Sequence, residues 1–465
     1  MRKLCFFFIL TIIMLVSPLV VSGQQTLPLF AEAAILVEQT TGRVLYAQNA
    51  HQRMYPASTT KLLTALVVMQ HLDFDTVVVV GSEIRGMPAG FATNVHIEGE
   101  AITVRVLLQA FLMRSSNESG RVLALEVVRT TAGDRNMNYT DAKPRFSALM
   151  NDFARGLGAE NSNFNNPYGL HSEQHFTTAY DLALIGRAFA ENPILMQISA
   201  TREFYGNSME GRTPPYGSES RQLSFGNTNQ MLPGAAFGHP YITGGRTGFT
   251  TPAGHCFVGL AYHNGLGLVS VVLNSQENTR WQDTRLLIDY GFINFSFREV
   301  GEANQLIDTV KIENPRLGDI DTLDVRLQES RTFLLSNAEY AAIERTVVFF
   351  PLFWVQNEDD EIVLRPPIEY GDAVGTVIFQ TGGETLFSAS LVSTRNVQPR
   401  TFDSDMDYYM DMFFGYMFTR RALPYWFGTF GTLFGFIGLF SAFSAARRVK
   451  RLERWDQPDR RRRYR

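Results

Sequence analysis

The chain is expected to fold as an α+β protein: one antiparallel sheet with packed helices, followed by a small all-β domain and a C-terminal transmembrane helix. Three observations lead there. Strand-like runs stand at both ends of a helical middle in the first 297 residues, the layering of a sheet with helices laid against it. After about residue 298, short β-branched runs broken by turns replace the helical periodicity. Residues 422–446 carry no charged side chain, which is enough to cross a hydrocarbon layer of roughly 30 Å.

Taken in order, Met1-Arg2-Lys3 leads into an uncharged run and a small-residue exit at Val21-Ser22-Gly23. Residues 1–23 are therefore expected to be a secretory signal, cleaved near Gly23, although the run is also long enough for an anchor. The catalytic domain is expected over residues 28–297. It opens with a hairpin, residues 33–38 and 44–47, turned by Thr41-Gly42. Helical patterns follow at the Lys61 segment, 102–113, 122–128, 145–156 and 179–191. Strands return at 256–262 and 267–273, and a helix over 283–292 closes the domain. Residues 298–395 read as the small β-rich domain and 396–421 as a juxtamembrane linker, acidic and aromatic through Asp403, Asp405, Asp407 and Asp411. The span over 422–446 has Tyr425 and Trp426 at one end and a basic cluster from Arg447 at the other.

The formal net charge of the whole chain is −4. The tail from Arg447 carries ten Lys/Arg and three Asp/Glu, a surplus of seven; setting it and the +2 of Arg2-Lys3 aside leaves −13 for the remainder. A basic surplus beside a span belongs on the cytoplasmic face, so the long N-terminal part is expected on the outer side of a single-pass membrane protein. An acidic exterior argues against nucleic acid as a partner. Gly431 and Gly435 form a small-x-x-x-small pair, which makes a homodimer through the span a candidate assembly. With Cys5 in the signal, Cys256 is left without a disulfide partner and reads as a small core residue.

Ser58-Thr59-Thr60-Lys61 stands at the mouth of the apolar run 62–72. Three residues apart on a helix, a hydroxyl and an amine project from one face. A desolvated lysine can take the serine proton, so this pair can perform acyl transfer without a histidine–aspartate couple. Ser115-Ser116-Asn117 follows another apolar stretch; in extended backbone Ser115 and Asn117 would face one cleft. Gly244-Gly245-Arg246-Thr247-Gly248 combines a cation, a hydroxyl and glycines that let a substrate lie against a strand edge. Singly, each has a bland alternative: a helix cap, a polar loop, a Gly-rich hairpin.

In this order the three segments resemble S-x-x-K, S-x-N and K-T-G, the signatures of the penicillin-binding and serine β-lactamase superfamily. More narrowly, the chain is similar to the low-molecular-mass penicillin-binding proteins that are serine-type D-alanyl-D-alanine carboxypeptidases. Tyr55-Pro56-Ala57, Phe164-Asn165-Asn166-Pro167-Tyr168-Gly169-Leu170, Thr177 to Ala183, Asn227-Thr228-Asn229 and Arg280 to Phe292 add to the likeness. It covers roughly residues 29–297 and extends faintly to 394. The chain departs from the pattern at Arg246, where the family has lysine, and at Glu118, where aspartate is common. Arginine keeps the charge and can grip a carboxylate, but it does not give up its proton.

The resemblance implies a membrane-tethered enzyme that trims peptidoglycan stem peptides, with the catalytic site at the edge of the sheet. Ser58 would attack the penultimate D-alanine carbonyl, Lys61 would accept its proton, and Ser115 would pass a proton to the leaving D-alanine. Asn117 would bind a substrate amide and hold Lys61. Backbone N–H groups of Ser58 and Phe249 would form the oxyanion hole beside Gly248; Arg246, Thr247 and Arg280 would bind the terminal carboxylate. β-Lactams are expected to acylate Ser58. No cofactor is expected, and His171 and His175 lack the adjacent glutamate of a zinc motif. The alternatives are a D,D-endopeptidase, a β-lactamase (disfavoured because the 163–169 loop resembles the carboxypeptidase form and not a deacylating Glu-x-x-x-Asn segment) and a catalytically silent wall-binding or assembly protein.

Overall fold

Residues 33–38 are apolar at every position but the last, where a half-buried strand would alternate, and the sheet shows why. The structure, a computed structural model, describes residues 26–88, 91, 93–211, 220–417 and 441–448. It divides into two units, Met1–Phe297 with Leu334–Asn337, and Arg298–Phe333 with Ala338–Arg465.

The first unit holds a five-stranded antiparallel sheet in the order Val44–Gln48, Ala33–Glu38, Leu266–Ser275, Gly254–His263, Ile242–Thr250. Successive side chains of a strand point to opposite faces. Ala33, Ile35 and Val37 accordingly enter one apolar cluster, with Val258, Leu260, Val269 and Val271 and the helices Lys61–His71 and Ala179–Ala190. Ala34 and Leu36 enter another, with Phe257, Leu268, Trp281, Leu287 and Ile288, the last three from the helix Thr279–Asn294. Both faces are covered, so Ala33–Glu38 is buried throughout. Glu38, fully buried, accepts from Thr40 N, Thr41 N and Thr41 Oγ1, which fixes the turn through Gly42 at φ +74°.

The hairpin, both late strands and the closing helix appear where the sequence places them. Other boundaries moved, each for a local reason. The expected helix over 102–113 is three elements. Ala101–Thr103 pairs as a strand with Val77–Val79, Thr103 Oγ1 caps a helix over Val104–Gln109, and Ala110–Arg114 winds as a π-turn. The helix expected from 122 starts at Asn117 because Ser116 caps it. The one expected from 145 starts at Tyr139, where Asn138 caps it; Ala142, Phe146, Met150 and Ala154 bury one face and carry it past Pro144. The helix Pro193–Ala200 and the hairpin Glu203–Asn207 with Gln222–Gly226 were not foreseen.

The second unit is built on a five-stranded antiparallel sheet ordered Leu306–Lys311, Thr322–Leu327, Glu384–Ser393, Ala373–Thr381, Glu344–Phe349. Leu323, Val325 and Leu327 are buried at alternate positions, and Phe379 stacks on Phe387 at 4.9 Å. The helix Phe402–Met417 exposes Met406, Tyr409, Met412 and Phe413. Among the described residues no helix is long and apolar enough to cross a membrane. The expected signal, most of the expected span with Gly431 and Gly435, and the tail beyond residue 448 lie outside the described residues. Residues 441–448 are helical, and Arg448 Nη2 lies 3.5 Å from Asp407 Oδ2.

Candidate active site

The nucleophile candidate sits on a strained turn. Ala57 adopts φ +49°, and a 3-10 turn over Ala57–Thr60 runs directly into the Lys61–His71 helix. A non-glycine residue at positive φ is costly and persists where its surroundings impose it. Here they do. Thr59 Oγ1 donates to Pro56 O at 2.7 Å and Thr60 Oγ1 to Ala57 O at 2.8 Å. Thr60 Oγ1 in turn lies 2.8 Å from His175 Nε2, whose ring accepts from Asn165 N at Nδ1. Burial holds that imidazole neutral, with its pKa down at about 3, so Nε2–H is the donor to Thr60. Gly169 lies against the same turn. A Cβ there would stand 1.8 Å from Ala57 O, so only glycine allows the approach.

Lys61 is fully buried beneath Ser58. Its Nζ lies 2.7 Å from Asn117 Oδ1, 2.8 Å from Tyr168 O and 3.0 Å from Ser58 Oγ. Burial drives the lysine pKa well below its usual value, the Arg246 charge lowers it further, and Glu118 opposes them. A neutral amine has two hydrogens and one lone pair. As the charged ammonium, Lys61 donates to all three oxygens; once neutral, it can keep its hydrogens on the two carbonyl oxygens and turn its lone pair to the Ser58 hydroxyl. That is the geometry of a general base.

Ser115 and Asn117 do share the cleft with Ser58, but not through extended backbone. Ser115 ends the π-turn at φ +69°, which places its Oγ 3.4 Å from Ser58 Oγ. Asn117 opens the next helix, holds Lys61 with Oδ1 and donates Nδ2 to Phe91 O at 2.8 Å. Glu118 is buried and accepts from Thr93 N, Thr93 Oγ1, Asn94 N and Ser116 Oγ. Burial raises its pKa, but these donors outweigh it and leave the carboxyl below its usual range. Glu118 thus clamps the segment that supplies Phe91 and Thr93 to the cleft wall.

The opposite wall is the edge strand Ile242–Thr250. A Cβ on Gly248 would stand 2.9 Å from Pro56 O and 3.1 Å from Ser58 N, so this strand passes within touching distance of the nucleophile's backbone. The cavity between the walls is about 300 Å³, lined by Ser58, Ser115, Asn117, Tyr168, Gly169 and Phe249 together with Phe91, Thr93, Leu170, Thr250 and Thr251. Tyr168, Phe91, Thr93, Thr250 and Thr251 carried no role in the sequence reading. The family-like 164–170 segment, which holds Tyr168, Gly169 and Leu170, was the hint at this wall.

Arg246 corrects the expectation that it grips a substrate carboxylate. It is 1% exposed and does not line the cleft. Its Nη1 donates to Thr228 Oγ1 at 2.9 Å and to Leu112 O at 3.1 Å, a carbonyl of the π-turn. The side chain therefore points behind the strand, tying the Ser115 turn to the sheet edge. Burial lowers its pKa to about 9, which still leaves it cationic at neutral pH. Thr247 Oγ1 pairs with Thr228 Oγ1 at 2.9 Å. Neither Thr247 nor Gly248 is a cleft-lining residue, and neither is Arg280, which is half-buried and pairs through Nη1 with His255 Nδ1; that ring stacks on Phe249 at 4.3 Å. Cys256 is buried with its thiol pKa raised to about 11 by burial, an inert core residue. Among the described residues no cluster of His, Cys, Asp or Glu could hold a metal ion.

A serine whose hydroxyl meets the amine of a buried lysine, walled by a sheet edge, defines an acyl-transfer site of the serine–lysine class. The family model described as D-alanyl-D-alanine carboxypeptidase matches residues 21–277, more than half of the sequence, and the chain belongs to that family. It is 24% identical to the D-alanyl-D-alanine carboxypeptidase DacF of Bacillus subtilis over 80% of this chain and 87% of that one. With DacC of Escherichia coli it shares 27% identity over 83% and 89%. A D-alanyl-D-alanine endopeptidase of Pseudomonas aeruginosa is 33% identical over 49% of this chain and 65% of its own. In fold it is similar to penicillin binding protein 5 of Haemophilus influenzae, with TM-score 0.54 and 22% identity over 81% of this chain and 100% of that one. The likeness to the carboxypeptidase DacD of Francisella tularensis has TM-score 0.55 at 22% identity, covering 81% and 95%. The architecture is the α+β fold of penicillin-binding proteins.

Proposed function

We infer that the protein is a serine D,D-carboxypeptidase that removes the terminal D-alanine from peptidoglycan stem peptides. The observation that carries this is the set of three contacts at Lys61 Nζ, which lets the neutral amine turn its lone pair to Ser58 Oγ. Lys61 takes the Ser58 proton as Oγ bonds to the penultimate D-alanine carbonyl carbon. The carbonyl oxygen takes up the negative charge against the N–H groups of Ser58 and Phe249, which the Gly248 approach brings together. Ser115 hands its proton to the departing amine as the C–N bond breaks and is reprotonated at the expense of Lys61, which returns to the neutral form. Water then attacks the ester, with Lys61 again taking the proton. Arg246 and Arg280 both stand outside the cleft lining, so they favour the substrate carboxylate through their field and not by direct grip. A β-lactam presents the same carbonyl, and its ring-opened ester stays on Ser58.

The test is incubation of the protein with a pentapeptide ending in D-Ala-D-Ala, scored for free D-alanine, beside labelling by fluorescent penicillin. Both are expected, and Ser58→Ala abolishes both; labelling that survives the substitution overturns the assignment. The similarity to an endopeptidase supports a second reading, cleavage of cross-linked dimers. Dimer cleavage in preference to release of D-alanine would establish it.

The protein is further proposed to act on the outer face of the cell membrane, attached through residues 422–446. The charge bias favours a cytoplasmic tail, whereas the Arg448–Asp407 pair favours a tail on the same side as the linker helix. Labelling of a cysteine placed at residue 460 from outside intact cells separates the two.

A further inference from the structure

We propose that a second pocket, between Arg202 and Asn229, binds the carboxylate of an amino acid or a peptide end. It is a cavity of about 220 Å³ lined by Arg202, Glu203, Asn227, Asn229, Gln230 and the Gly234–Ala236 turn, sharing no residue with the catalytic cleft.

One buried donor in this pocket lacks an acceptor. Asn229 is 2% exposed; its Oδ1 accepts from Met231 N at 2.9 Å, and its Nδ2 is buried with no partner. A buried amide hydrogen without an acceptor is costly, so a ligand oxygen there recovers a lost interaction. The Arg202 guanidinium lies over the turn, with Nη1 2.9 Å from where a Cβ on Gly234 would stand, which holds it at the pocket. A guanidinium and an amide N–H converging on one cavity suit a carboxylate. Glu203, whose Oε2 accepts from Tyr205 OH, supplies the opposite charge at the rim. That carboxylate repels a phosphate dianion and favours a ligand that also carries an ammonium or amide N–H.

The pocket floor is rigid and reaches the catalytic site through one residue. Asn227 Nδ2 donates to Ser199 O and Thr201 O, and its Oδ1 accepts from Asn229 N. Asn227 and Asn229 line the pocket, while Thr228 between them bonds Arg246 Nη1 and Thr247 Oγ1 at 2.9 Å each. The ligand's identity rests on the carboxypeptidase reading. That reaction yields a free amino acid and a shortened peptide, both with the carboxylate this pocket suits.

The test titrates the full-length protein, its cleft first filled by penicillin, with D-alanine and separately with N-acetyl-L-lysyl-D-alanine, by calorimetry. Saturable binding of either probe is expected, and which one binds distinguishes product from peptide end. Arg202→Gln, at an exposed position, should weaken it about tenfold or more without altering the melting temperature. Asn229→Asp keeps the Met231 contact and should abolish it. Failure of both probes to bind at about 10 mM, or binding untouched by both substitutions, overturns the site. Failure of penicillin to acylate would instead count against the peptidase reading, and the same titration on the unacylated protein would still decide the pocket.

Discussion

Lys61 is the residue on which the chemistry turns, and its charge state follows from what surrounds it. Acylation requires the neutral amine, so its rate rises with pH as the lysine passes through its depressed pKa. Arg246 adds to that depression from behind the strand. Arg246→Met should therefore raise the lysine pKa and move the acidic limb of the penicillin-acylation profile to higher pH, while Arg246→Lys should leave the limb in place. Acylation rates measured across pH check this; an unmoved limb in the methionine variant would show that Arg246 acts only as a strut. His175 gives a stability effect of definite sign. Its folded pKa is about 3 against 6.5 for the free ring, so below pH 6.5 the unfolded chain binds the extra proton. Stability is lost as pH falls from 6.5 toward 3, by up to about 1.4 kcal/mol per pH unit. His175→Gln should flatten that slope in denaturant titrations taken at pH 4, 5 and 6.

At the scale of elements, the site is a meeting of backbone turns rather than of side chains on regular structure. The 3-10 turn at Ser58 and the π-turn ending at Ser115 each put a hydroxyl at the cleft that a regular helix would aim elsewhere, and the edge strand brings Phe249 and Thr250 to the opposite wall. Gly248→Ala should push the edge strand outward, since a Cβ there would stand 2.9 Å from the backbone oxygen of Pro56, which cannot swing aside as a side chain would. That shift moves the Phe249 N–H off the oxyanion position, so acylation should slow by about 10–100-fold, with a lowered melting temperature beside it. A stopped-flow acylation assay beside a thermal melt reads both. The sequence exposed Ser58, Lys61, Ser115 and Asn117 because their spacing is short and their residue types are chemically telling. It hid the Tyr168 carbonyl and the Glu118 clamp, because a backbone oxygen has no residue signature and a buried carboxylate looks like any other glutamate.

On the scale of the whole molecule, the catalytic unit has its own two-faced sheet core and the β-rich unit its own alternating one. Ending the chain after residue 417 should therefore leave penicillin acylation within about twofold, and the proposed attachment through residues 422–446 further requires that the shortened protein leave the membrane fraction for the soluble one. Retention in the membrane pellet would place the attachment elsewhere. The first strand of the hairpin and the two late strands were legible because burial on both faces writes continuous apolar runs, and the closing helix because Trp281, Thr284, Leu287, Ile288 and Gly291 recur at helical spacing. The split of residues 101–114 into strand, helix and π-turn was not, since one apolar stretch serves all three.

By itself the sequence determined the two-unit plan, the serine–lysine pair and the family, because residue type, spacing and periodicity are local properties. Tertiary structure alone decided that Arg246 faces away from the cleft toward Leu112 and Thr228, and that Lys61 Nζ is gripped by Asn117 Oδ1 and Tyr168 O beneath Ser58. Both depend on which distant carbonyls happen to stand nearby once the chain is packed, and no spacing along the chain encodes that.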